Sequence, residues 1–62
     1  MTKDEKVFLR AMIPHHQEAV RMANEAIAKG ASGRVLILAR RVAKNQGKEI
    51  AEMRSWLASG RS

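Results

Sequence analysis

The chain has 62 residues, a formal net charge of +6, two aromatic side chains and no cysteine. That length allows one small domain, which buries only about 60% of the surface its unfolded chain exposes. A disulfide framework is excluded, and chains below about 70–80 residues then depend on a metal, a partner subunit or a longer parent chain.

In chain order, Thr2 followed by Glu5 has capping-box spacing, and a first helix is predicted over about 4–29. Pro14 interrupts it, removing one backbone donor and crowding the carbonyl of Arg10 at a cost of about 3 kcal/mol or more. The expectation is a kink, or a break with a new helix starting near Pro14. Either would aim the next two residues, His15 and His16. Lys29-Gly30-Ala31-Ser32-Gly33 breaks the pattern: Gly30 suits a left-handed C-cap and Ser32 an N-cap. A second helix is predicted over about 33–58, and the short loop 30–33 makes the helices antiparallel neighbours. Ser59-Gly60-Arg61-Ser62 reads as a frayed end. No strand pattern competes. The longest apolar run is five residues, Val35 to Ala39, far short of a membrane span. Met1 to Lys6 is charged and no apolar region follows it, so an exported protein would be represented by a mature or excised form.

Helical periodicity places polar residues on both apolar faces. With Met12 as origin, Phe8, Leu9, Ala19, Ala23, Ala26 and Ile27 fall within about 60°. Both histidines share that arc, His16 near +40° and His15 near −60°. On the second helix, Gln46 is central among Val35, Ala39, Val42, Ile50, Met53 and Leu57, with Glu49 about 60° away. Buried polar groups need partners. In an antiparallel hairpin facing residues have numbers summing to about 62, so His16 is expected opposite Gln46, and Met12 opposite Ile50, one turn from Glu49 and Met53.

The set Met12, His15, His16, Gln46, Glu49 and Met53, with Met22 farther along, admits two chemistries. Imidazole and thioether donors suit soft ions, above all Cu(I) and Ag(I), and Met12 and His16 are spaced i, i+4 on one face. Gln46 or Glu49 would then hold a ring N–H and fix its tautomer. Alternatively the His, Gln and Glu side chains form a hydrogen-bonded layer that sets the register of a helical dimer, and the methionines fill core gaps. Trp56 reads as a lid or an interface anchor.

Catalysis is poorly supported. His15 precedes Glu18, the reverse of the Glu-x-x-His order of dinuclear bundle sites, and no Ser-His-Asp or Cys-His arrangement is present. The basic residues Arg10, Arg21, Arg41, Lys44 and Lys48 scatter around both helices, which argues for a solvated surface and against specific nucleic-acid binding.

The run Phe8-Leu9-x-x-Met12-Ile13-Pro14-His15-His16-x-x-Ala19-x-x-Met22-Ala23, then Leu38-Ala39, then Gln46-x-x-Glu49-Ile50-x-x-Met53-x-x-Trp56-Leu57, closely resembles the bacterial domain of unknown function 305 family. The resemblance covers about residues 7 to 57. It implies an all-α, ferritin-like four-helix bundle, for this chain an antiparallel two-helix hairpin that forms a homodimer. It further implies a periplasmic or secreted protein, and copper binding through His and Met in some members. The positions matching the family's motif are Met12, His15, His16, Met22, Gln46, Glu49 and Met53. Ala11 stands where many members have a second Met. One hairpin's length, without an export signal, suggests an excised domain or a short homologue.

Overall fold

The computed structural model describes residues 1–59. They form two α-helices, α1 (Lys3–Ala28) and α2 (Gly33–Ser59), packed against each other as an all-helical hairpin. The expected frayed end beyond Ser59 lies outside the described residues, and Ser59 itself closes α2.

The capping box forms as its spacing predicts. The Glu5 backbone N–H donates to the Thr2 hydroxyl at 3.1 Å, and the Thr2 N–H donates to the Glu5 carboxylate at 2.7 Å. That backbone bond from Thr2 is the main reason the Glu5 carboxyl is held below its ordinary value. Asp4 and Glu5 also set negative charge against the positive end of the helix dipole.

Pro14 does not break the helix: α1 runs through it without interruption. Arg10 and Pro14 are both exposed, so the carbonyl that loses its partner can turn to water. Ile13 and Val20, packed against the core, hold the helix in place on either side.

The turn follows from two glycines. The Ala31 N–H donates to the Ala26 carbonyl at 2.9 Å and the Gly30 N–H to the Ile27 carbonyl at 3.1 Å, the paired bonds of a Schellman C-cap. Gly30 has φ +98° and Gly33 φ +54°, left-handed conformations that a Cβ disfavours. The Leu36 N–H donates to the Ser32 carbonyl, so Ser32 stands at the N-cap position expected for it.

Leu9, Ile50 and Met53 form the core cluster, with Met1, Met12, Ile13, Val20 and Leu57 packed against it. Nearer the loop, Ala23 and Ala39 are the buried residues. Among the described residues no large side chain is wholly enclosed, whereas Val7, Phe8, Met22, Val35, Ile37, Leu38 and Trp56 stay about half exposed or more. The hairpin is long and thin, with a radius of gyration of 14.0 Å, against about 11 Å for a compact domain of this length. Its accessible surface is 4830 Å², roughly 800 Å² more than a compact monomer of this mass exposes. No helix among the described residues is long and apolar enough to cross a membrane.

Candidate functional site

Toward the open end of the hairpin both helices line a groove of about 280 Å³. Phe8, Leu9, Met12 and His16 come from α1, and Glu49, Glu52, Met53 and Trp56 from α2. The two helices therefore bring two thioethers, one imidazole and two carboxylates to one place.

His16 is the fixed point. Its Nδ1–H donates to the Met12 carbonyl, one turn back, at 3.0 Å. Its Nε2 stands 2.6 Å from Glu49 Oε1. The Met12 bond occupies Nδ1, so Nε2 is the nitrogen presented to α2. Both ring nitrogens thus stand against oxygen atoms, the Met12 carbonyl and the Glu49 carboxylate. The imidazole is 13% exposed and the carboxylate 51%, so the pair joins an interior group to a rim group.

The side-chain pairing differs from the expected one. His16 was placed opposite Gln46, but it meets Glu49, one turn farther along α2. Helical side chains lean toward their own N-terminus. In antiparallel helices that lean carries His16 toward the open end and Glu49 toward the loop, so they meet although their backbones are offset.

Met12, His16, Glu49 and Met53 are thus brought together. Gln46 is half-buried, does not line the groove and carries no side-chain hydrogen bond among the described residues. His15 was placed inside the apolar arc but is exposed, beside Ala11, Pro14 and Glu18. Its position at the edge of that arc falls past the single neighbouring helix. Met22 is 59% exposed and belongs to a second, more apolar trough of about 310 Å³ near the loop. Phe8 and Glu52 were missed as members of the groove. Their signal was spacing: Phe8 precedes Met12 by four residues and Glu52 precedes Trp56 by four.

Among the described residues no three His, Cys, Asp or Glu side chains gather in a way that could hold a metal ion. A cation in the groove would accordingly depend on the thioethers of Met12 and Met53. Three further ion pairs lie along α1 and its C-cap. Arg21 bridges Glu18 and Glu25, and Lys29 joins Glu25. The bond from Arg21 holds the Glu18 carboxyl below its ordinary value, and the bonds from Lys29 and then Arg21 do the same for Glu25. The Arg21 guanidinium is raised in turn, chiefly by Glu18.

Among known proteins, no curated sequence and no solved structure matches the chain. The family described as Domain of unknown function (DUF305) matches over residues 2–61, a span that takes in both helices, the loop and the groove. The chain belongs to the DUF305 family.

Proposed function

We propose that the protein binds and sequesters a soft monovalent ion, Cu(I) or Ag(I), and performs no catalysis on it. Met12, His16 and Met53 would hold the ion, with Glu49 at the rim. The observation that carries this reading is the meeting of two thioethers and an imidazole from opposite helices in one groove. Soft donors favour soft ions, and a cation at His16 Nε2 would take the place of its contact with Glu49. Aromatic and aliphatic walls would keep water from the ion. Two copies would form the four-helix bundle, which the surplus surface of the lone hairpin supports. A cysteine-free chain suits the periplasmic or secreted setting that family resemblance implies.

One observation favours a second reading. The His16–Glu49 bond satisfies both groups without any metal, as expected of a polar layer that sets register in a structural dimer. An anaerobic Cu(I) competition titration against a colorimetric chelator separates the two. Saturable binding by the wild type, weakened by at least tenfold in His16→Ala and in Met12→Leu, is expected of sequestration. No binding by the wild type would leave the structural dimer.

A further inference from the structure

The two apolar grooves lie along one face of the hairpin. On α1 that face carries Phe8, Met12, Ala19, Met22 and Ala26, and with His15, placed by spacing alone, they are separated alternately by four and three residues. This is a heptad seam, and it lies to one side of the α1–α2 contact. On α2 the corresponding seam starts at Val35 and Leu38 and ends at Met53 and Trp56.

Each seam can be paired with its own reverse. Turned end for end, the α1 seam sets Phe8 against Ala26, Met12 against Met22, and His15 against Ala19. The α2 seam sets Trp56 against Val35, Met53 against Leu38 and, nearest the centre, Glu49 against Val42. The α1 pairs centre on residue 17 and the α2 pairs between 45 and 46. Those centres stand at one height in the hairpin, because level positions have numbers summing to about 61, as Ala28 and Gly33 do on either side of the turn. One two-fold axis therefore serves both helices.

We propose that a second copy of this chain covers this face in reversed orientation, with the two loops at opposite ends of the bundle, so that Met12 stands against the partner's Met22. On α1, Phe8 and His15 then face alanines, while Met12 meets Met22 and, on α2, Met53 meets Leu38, pairs of comparable size. With the loops together, Phe8 would instead crowd Trp56 of the partner subunit at one end, while alanines faced thin apolar walls at the other. The area agrees: the hairpin's surplus of roughly 800 Å² equals the share of one partner in a standard interface, about 800 Å². The partner's Met22 would also add a third thioether to Met12 and Met53, a consequence that rests on the soft-ion reading.

The chain has no cysteine, so introduced thiols report position directly. Met12→Cys and Met22→Cys chains, mixed without metal and oxidised, should form a disulfide-linked heterodimer. Met12→Cys alone should not, since its two copies would stand about 15 Å apart along the helix, beyond disulfide reach. Circular dichroism of each variant and light scattering of the wild type establish that folded dimers are being compared. A wild-type monomer at the cross-linking concentration overturns the proposal. So does cross-linking of Met12→Cys with Met53→Cys in place of Met22→Cys, the signature of loops at the same end. The link is read without metal, so it stands or falls apart from ion binding. Ag(I) affinity should fall at least tenfold in Met22→Leu; an unchanged affinity overturns the ligand role of Met22.

Discussion

The open end and the loop end of the hairpin use the same two helices to different purposes. At the open end, Leu9, Ile50 and Met53 fill the space between helices, and Phe8, Met12, His16, Glu49 and Trp56 surround a groove. At the loop end the buried residues are Ala23 and Ala39, and the trough beside them is almost wholly apolar. Large side chains hold helices apart and leave irregular gaps that can take a ligand. Small ones bring backbones close and offer a shallow surface suited to another helix. Side-chain size, more than helix geometry, separates the groove of the open end from the shallow trough of the loop end.

That contrast can be broken from either side. Ile50→Ala removes part of the cluster of large buried side chains and should cost about 2–4 kcal/mol, read by urea denaturation at fixed protein concentration. A cost below about 1 kcal/mol would mean that the open end is not where stability is centred. Ala23→Leu tests the loop end in the opposite direction. Added volume should destabilise by about 1–3 kcal/mol, whereas a stabilised variant would show that the buried alanines leave unfilled space.

Gly47→Ala sharpens the comparison by acting on helix propensity alone. A Cβ at Gly47 meets no atom within 4 Å, so the change should stabilise by about 0.5–1 kcal/mol. Lost stability would place an unseen contact on that side of α2.

The smallest effect is electrostatic and falls on α1. The carboxyls of Glu5, Glu18 and Glu25 are all lowered from 4.5 in the folded chain. Groups lowered by folding contribute stability above the unfolded value and lose it as pH falls through the folded one. Thermal stability should therefore decline gently on acidification below about pH 4.5, most visibly at low salt. A chain whose melting temperature is flat from pH 5 to pH 3 would show that these surface pairs contribute nothing measurable.

Much of the site was legible because it is carried by short-range pattern. Met12 and His16 share a helix face by their spacing, and Glu49 and Met53 share theirs. The break that Pro14 allowed does not occur, since its penalty is local while the packing of Ile13 and Val20 that keeps α1 continuous is not. His15 shows another limit of short-range pattern. A wheel reports direction around one helix and not where the neighbouring helix ends, so an imidazole at the edge of the arc stays outside a two-helix contact.

Composition and spacing alone determined two helices, their caps and the glycine turn, because each depends on bonds among residues no more than five apart. The pairing of His16 with Glu49, the exclusion of Gln46 from the groove and the exposure of His15 and Met22 were decided only when the helices packed. Those outcomes depend on how side chains lean across a contact and on which faces one hairpin can cover, and neither quantity is local to the chain.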